Sequence, residues 1–250
     1  MTPTHYRFAS FDGVELAWTE LGAGRPVVLL HGLFSTAQTN WLKYGAAATI
    51  AAAGFRVIMP DLRAHGDSAK PHDAAAYPQD VLARDVEALV AHLGLSDFDL
   101  GGYSLGARTT MRCLVREMTP RRAVLSGMGL SGMTEFAKRS AFFLDVIANP
   151  DSFERGTGGW FAAQFMRTNH IDGEAVAHVL RSQVSTPRAD IVAVQTPILV
   201  VAGKDDDDNG SAPELAQVLP HGHYIETPGN HMSAVVERAL GHAIADFLAA

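Results

Sequence analysis

Cysteine, clustered basic residues and long apolar runs are all scarce in this chain of 250 residues. The only cysteine, Cys113, excludes a disulfide within the chain, and its apolar position predicts a packed thiol. Acidic residues outnumber basic ones by 27 to 20, which disfavours a nucleic-acid partner. No apolar stretch approaches the roughly 18 residues of a membrane helix, and the N-terminus lacks a signal-peptide pattern. We therefore expect a soluble cytoplasmic protein that binds no membrane.

What the chain does contain is an alternation of apolar strands and amphipathic helices. A hairpin around Asp12 and Gly13 comes first. Five apolar strands follow, at residues 26–30, 55–59, 99–103, 121–127 and 197–203, and a last one lies at 223–227. Helical patterns cover 39–53, 78–93, the residues after 104, and 235–247. This order predicts an α/β fold with a doubly wound, mostly parallel sheet.

The alternation breaks between residues 128 and 187, where aromatic residues and methionines recur at helical spacing. A structureless loop of about 60 residues would be rare, so this segment predicts a helical cap inserted into the sheet domain. We assign residues 1–127 and 188–250 to the core and 128–187 to the cap. The apolar side chains of the cap could line a pocket or form its own core. His170 and His178 are eight positions apart, which is not the spacing of a helical metal pair, and no metal is expected.

The segment from Asp99 to Ala107 joins a strand to a helix through a Gly-x-Ser-x-Gly turn. Gly102 and Gly106 lack a Cβ atom, so the strand and the helix can approach each other closely. Ser104 would then lie at the apex of a strained turn with its hydroxyl exposed, which is the geometry of a nucleophile.

In this context the motif resembles the α/β-hydrolase family, and the similarity runs from about residue 5 to the C-terminus with a weaker middle third. The resemblance implies an oxyanion hole formed by the backbone N–H groups of Leu33 and Leu105. It also implies that His31 shapes the loop that carries Leu33. The family usually has glycine where this chain has Ala64. In the same segment we expect Asp61 and Arg63 to form an ion pair that fixes the loop.

The family pattern Gly-x-x-Asp at the end of a strand selects Asp206 as the acidic partner of a catalytic histidine, with Asp205 as the alternative if the turn is tighter. The same acidic run partly matches a calcium loop, but Ala216 stands where a bidentate glutamate is needed. His231 follows the last strand, although Asn230 replaces the usual glycine before it. Ser104, Asp206 and His231 thus occur in the chain order typical of the family.

Three functions are compatible with these residues. The first is a serine-dependent carboxylic ester hydrolase, or esterase, acting on small to medium apolar acyl substrates through an acyl-serine, without a cofactor. The second is a carbon–carbon bond hydrolase or a lactonase of a catabolic pathway that uses the same triad. The third is a ligand-binding protein with a silent site. A serine nucleophile disfavours the epoxide hydrolases and haloalkane dehalogenases, which use aspartate. Nothing in the sequence indicates an oligomeric state.

Overall fold

The computed structural model describes residues 1–250 and contains one sheet of eight strands in the order β1-β2-β4-β3-β5-β6-β7-β8. The strands are β1 (Thr4–Ala9), β2 (Glu15–Gly22), β3 (Arg25–Leu30), β4 (Phe55–Pro60), β5 (Asp99–Tyr103), β6 (Ala123–Ser126), β7 (Ile198–Gly203) and β8 (Gly222–Thr227). Strands β3 to β8 are parallel, whereas β1 and β2 form an antiparallel hairpin at one edge. The predicted doubly wound, mostly parallel sheet is therefore confirmed.

Ten helices accompany the sheet: α1 (Ala46–Ala52), α2 (Val81–His92), α3 (Leu105–Val115), α4 (Leu130–Thr134), α5 (Phe136–Ala148), α6 (Gly158–Thr168), α7 (Gly173–Ser182), α8 (Arg188–Ala193), α9 (Ala212–Val218) and α10 (Arg238–Ala249). None of them combines the length and the apolar character needed to cross a membrane.

Alternate side chains of each buried strand serve different faces of the sheet. On β3, Val27 and Leu29 join the apolar cluster that includes α1 and α10, whereas Val28 and Leu30 join the cluster on the α2 side. Cys113 is fully buried on α3, as the sequence predicted, and burial raises the pKa of its thiol. Helices thus cover both faces of the sheet. In such a fold, a site is expected among the loops at the carboxyl ends of the strands.

The helix expected over residues 39–53 is two elements. A short π-helical turn spans Gln38–Leu42, and α1 begins only after Gly45, whose φ of 86° ends one helical segment before the next. The turn places Trp41 in the core with no exposed surface. The left-handed backbone of Gly45 accounts for the interruption, which the alanine-rich pattern did not indicate.

Residues 128–187 contain α4 to α7 and no strand. The segment shares a hydrophobic cluster with the core, because Phe136, Val146 and Met166 belong to the same cluster as Leu30 and Leu105. The two boundaries that we assigned to the cap remain an interpretation.

Candidate active site

Ser104 lies at the turn between β5 and α3 with φ 52° and ψ −109°, a backbone conformation that few residues other than glycine adopt. The two flanking glycines are what allow this turn. A Cβ atom on Gly102 would lie 2.3 Å from the carbonyl carbon of Gly106, and one on Gly106 would lie 2.2 Å from the carbonyl oxygen of Leu30. The first turn of α3 therefore packs directly against the ends of β3 and β5.

A chain of hydrogen bonds leads from Ser104 through His231 to Asp206. The Nε2 atom of His231 lies 3.0 Å from Oγ of Ser104, and its Nδ1 atom lies 2.9 and 3.1 Å from the two carboxylate oxygens of Asp206. The side chains of His231 and Asp206 are 11% and 2% exposed. Asp205, the alternative acid, is exposed, so Asp206 is the carboxylate that the structure places against His231.

Three hydrogen bonds fix the loop that carries His231. The side-chain oxygen of Asn230 accepts hydrogen bonds from the N–H groups of Met232 and Ser233, at 3.1 and 3.0 Å. The hydroxyl of Tyr103 donates a 2.6 Å hydrogen bond to the carbonyl of His231. Asn230 therefore closes this turn with its side chain where the family has glycine.

The loop after β3 runs beside the nucleophile, since a Cβ atom on Gly32 would lie 3.6 Å from that of Ser104. His31 holds the start of the loop: Nδ1 lies 2.8 Å from the carbonyl of Gly32, and Nε2 accepts a 2.9 Å hydrogen bond from the N–H of Leu62. The Asn40 side chain accepts a 3.0 Å bond from the N–H of Gly32. Burial lowers the pKa of His31 to about 4, so this ring is neutral at pH 7.

Leu33 and Leu105 both line the small cavity at Ser104. The N–H of Leu33 donates no hydrogen bond to the protein. Leu105 is the first residue of α3, so its N–H has no acceptor within the helix. The oxyanion hole that the resemblance implies at these two N–H groups stays a prediction.

The segment after β4 is fixed differently from our expectation. Arg63 is fully buried and forms ion pairs with Asp85 on α2 and with Asp12 in the first hairpin, both at 2.7 Å. Asp61 instead accepts hydrogen bonds from the N–H groups of Ala37 and Asp67, at 2.8 and 2.9 Å. The predicted ion pair between Asp61 and Arg63 is wrong, because Arg63 pairs with two other carboxylates and Asp61 binds backbone N–H groups.

Ala64 and His65 complete this support. Ala64 keeps a left-handed backbone with φ 70°, the conformation that explains why the family prefers glycine there. His65 lies against His31, with ring centroids 5.1 Å apart, and its Nε2 atom accepts a hydrogen bond from the N–H of Phe34. Burial, reinforced by His31, lowers the pKa of His65 to about 3. Two neutral histidines thus hold both ends of the loop that carries Leu33.

The cavity above Ser104 is small, about 20 Å³, which is room for a water molecule. Apolar side chains from the cap, Phe136, Phe143 and Leu180, form part of its lining. Two arginines, Arg108 on α3 and Arg139 on α5, also line it. The pocket beside the nucleophile is therefore mixed, with apolar walls and cationic groups.

Several residues of this site did not emerge from the sequence. Asn40, Tyr103 and His65 act through backbone contacts that join distant segments. Among these residues, only Arg108 could have been found from local sequence. It follows Ser104 by four positions, so the two residues lie on the same face of the predicted helix.

The family model described as alpha/beta hydrolase fold matches residues 25–167. A non-heme haloperoxidase of Rhodococcus erythropolis is 29% identical over 244 residues, which cover 86% of this chain and 84% of that protein.

Solved structures share the fold at low sequence identity. A thermophilic esterase from Thermogutta terrifontis superposes with a TM-score of 0.78 and 21% identity over 98% of both chains. A meta-cleavage product hydrolase from Pseudomonas fluorescens IP01 superposes with a TM-score of 0.74 and 17% identity over 97% of both chains. These likenesses concern the fold of the whole chain, including the segment from 128 to 187.

Proposed function

The chain belongs to the α/β-hydrolase family, and from this premise we propose that it is a serine-dependent carboxylic ester hydrolase. The observation that carries the proposal is the unbroken hydrogen-bond chain from Ser104 through His231 to Asp206. The fold likeness to a solved esterase supports the same reaction class. The substrate is a small molecule, and the reaction needs no cofactor because the three side chains supply nucleophile, base and orienting acid.

In the first half of the reaction, His231 Nε2 takes the proton of Ser104 as Oγ attacks the ester carbonyl carbon. Asp206 accepts the Nδ1–H of His231, which fixes the tautomer and stabilises the imidazolium that forms. The N–H groups of Leu33 and Leu105 bind the oxyanion of the tetrahedral intermediate. Each such donor contributes about 3 kcal/mol to transition-state stabilisation. The imidazolium then protonates the leaving alcohol, and an acyl-serine remains.

In the second half, a water molecule enters where the alcohol left. His231 removes a proton from this water as its oxygen attacks the acyl carbon, and the same two N–H groups bind the second oxyanion. Collapse of that intermediate returns the proton to Oγ of Ser104 and releases the acid. The cavity at Ser104, about 20 Å³, has room for one such water molecule.

The experiment compares hydrolysis of 4-nitrophenyl acetate and butyrate by the wild type, Ser104→Ala and a control, Ser152→Ala. Ser152 is an exposed serine of the cap whose hydroxyl contacts only Asn149. Loss of the nucleophile should lower kcat by at least about 10³-fold, and the control should keep wild-type activity. A fluorophosphonate should label the wild type and the control but not Ser104→Ala. Wild-type turnover by Ser104→Ala would refute the proposal.

A second candidate is hydrolysis of a carbon–carbon bond in a ring-cleavage product, or of a lactone, by the same three residues. The fold likeness to a meta-cleavage product hydrolase supports this candidate. The side chains of Arg108 and Arg139, which line the cavity, also support it. Rapid hydrolysis of a vinylogous diketone acid, together with slow turnover of simple esters, would favour this candidate.

The cytoplasmic location expected from the sequence stays a prediction, which cell fractionation would test.

A further inference from the structure

Arg108 is a buried cation without a counter-ion. Its side chain lines the cavity at Ser104, yet the residue is only 2% exposed. None of the ion pairs of the structure involves it. Its one polar contact is from Nη1 to the carbonyl of Met133 at 3.5 Å, the limit of a hydrogen bond. Most of its five N–H donors are therefore without a protein acceptor.

The surroundings of Arg108 make its charge more costly. Arg139 lies across the same cavity, and Arg108 belongs to the N-terminal part of α3, where the helix dipole disfavours a cation. Burial lowers the pKa of Arg108 to about 9, with smaller contributions from Arg139 and Arg112, so the group is still charged at pH 7. The face of Phe136, 3.9 Å from the guanidinium carbon, offers some compensation but no hydrogen bond.

Other arginines of the protein show what Arg108 lacks. Arg112, one turn further along α3, makes two hydrogen bonds to Asp80 at 2.9 and 2.7 Å. Arg139 donates to the carboxylate and to the carbonyl of Asp208. Because Asp208 compensates the charge of Arg139, the cavity carries one positive charge that no protein group balances.

We propose that Arg108 is the anchor of an anion subsite and that the substrate carries a carboxylate, which binds this guanidinium while Ser104 attacks the scissile carbonyl. A monoanion matches the single unbalanced charge. A carboxylate also matches the planar fork of the guanidinium, which can donate two parallel hydrogen bonds to it. Residues 104 and 108 are four apart, so their Cα atoms are separated by about 6 Å along the axis of α3, and both residues line the same cavity. This inference rests on the proposed function, since it names the substrate class of the same site.

Matched pairs of esters test the subsite. The first pair is 4-acetoxybenzoate and its methyl ester. The anionic member of this pair carries its charge on the leaving group. The second pair is 4-nitrophenyl hydrogen adipate and methyl 4-nitrophenyl adipate. The anionic member of this pair carries its charge on the acyl group. We expect the wild type to prefer the anionic member of at least one pair by about 10-fold or more in kcat/KM, as a charged hydrogen bond provides.

Three variants assign the preference to Arg108. Arg108→Met should lower kcat/KM for the anionic ester by about 10- to 100-fold and leave the neutral ester within about 3-fold. Arg108→Lys should retain part of the preference, because it keeps the charge but not the planar fork. The control is Arg116→Met, at the far end of α3, where the arginine pairs with Glu87 outside the cavity. It should behave as the wild type.

Thermal stability distinguishes a binding role from a structural one. Removal of an unbalanced buried charge should leave the Tm of Arg108→Met equal to or above that of the wild type. The inference is wrong if this variant lowers both esters of each pair equally, or if its anionic preference equals that of Arg116→Met. In that case Arg108 only packs against Phe136.

A binding measurement separates failure of the subsite from failure of the proposed function. Calorimetry would follow benzoate and hexanoate binding to Ser104→Ala and to Ser104→Ala/Arg108→Met. Binding that disappears in the double variant supports the subsite even if the wild type hydrolyses no ester and is not labelled by a fluorophosphonate. Ester hydrolysis without charge preference, together with no carboxylate binding, overturns the subsite and leaves the proposed function standing.

Discussion

The hydroxyl of Tyr103 donates a 2.6 Å hydrogen bond to the main-chain carbonyl of His231, across 128 residues of sequence. The two rings also pack together, with centroids 5.4 Å apart. Burial raises the pKa of the Tyr103 phenol, so that it stays protonated and acts as the donor. The residue before the nucleophile thus positions the residue that would act as its base.

Tyr103→Phe should therefore reduce activity without removing any reacting group. We expect kcat for 4-nitrophenyl acetate to fall by about 3- to 10-fold with little change in KM, because the imidazole is held less firmly. The loss of one buried hydrogen bond should also cost about 1 kcal/mol in the free energy of unfolding, measured in urea. Tyr224→Phe, on the edge strand β8, is the control and should change neither. A wild-type kcat in Tyr103→Phe would contradict a positioning role.

The two neutral histidines beside the loop that carries Leu33 predict a loss of stability in acid. The pKa of His31 is lowered to about 4 and that of His65 to about 3, chiefly by burial, whereas histidine in the unfolded chain titrates near 6.5. Below about pH 6.5 the unfolded state binds protons that the folded state does not. Each ring should therefore lower the free energy of unfolding by up to about 1.4 kcal/mol per pH unit as the pH falls from 6.5 toward 4.

Urea unfolding of His65→Gln between pH 7.5 and 4.5 measures this contribution. The variant should be less stable at pH 7, because the contact with Phe34 is altered, but its stability should fall less steeply toward acid by about 1.4 kcal/mol per pH unit. His242→Gln, at an exposed position of α10, should keep the wild-type slope. Parallel curves for His65→Gln and the wild type would show that folding does not lower the pKa of His65.

The ion pairs of Arg63 predict a large difference between two acidic residues of α2. Asp85 pairs with Arg63 in the interior, whereas Glu87 pairs with Arg116 at the surface. Asp85→Asn should lower the free energy of unfolding by about 3 to 5 kcal/mol, since Arg63 would lose a buried counter-ion. Glu87→Gln should cost less than about 1 kcal/mol because water screens the exposed pair. Similar costs for the two variants, measured in urea, would contradict this account.

The sequence predicted the order of the strands along the chain and the mostly parallel sheet. Continuous apolar runs such as those of β3 and β7 are typical of parallel strands that are buried on both faces. It also predicted Ser104, Asp206 and His231, since each follows a strand and the carboxyl ends of parallel strands meet at one edge. Local pattern and the family order were sufficient for these features.

Long-range partner choice was not accessible in the same way. The partners of Arg63 are 22 and 51 residues away, and the nearer acid, Asp61, binds backbone N–H groups instead. The helix before α1 is interrupted at Gly45, and the apolar periodicity of residues 39–53 did not record this break. The lack of a counter-ion for Arg108 is likewise visible only in the folded structure, where Phe136 and Met133 lie against this side chain.

Gly106 offers the sharpest test of the packing that shapes the candidate site. A Cβ atom at this position would lie 2.2 Å from the carbonyl oxygen of Leu30 and 2.9 Å from that of His31. Both are backbone atoms, so α3 must move away from the end of β3 to admit a methyl group. The movement would displace Ser104 and the N–H of Leu105 relative to the loop that carries Leu33.

Gly106→Ala should therefore destabilise the protein by about 1 to 3 kcal/mol through overpacking, and lower kcat by about 100-fold, because a shift of about 1 Å is sufficient for such a loss. Gly158→Ala is the matched control. Gly158 is the first residue of α6, and a Cβ atom there would meet nothing within 4 Å. Alanine should be neutral there or stabilise the helix by up to about 1 kcal/mol. Wild-type kcat and stability in Gly106→Ala would mean that α3 and β3 are not in contact at this glycine.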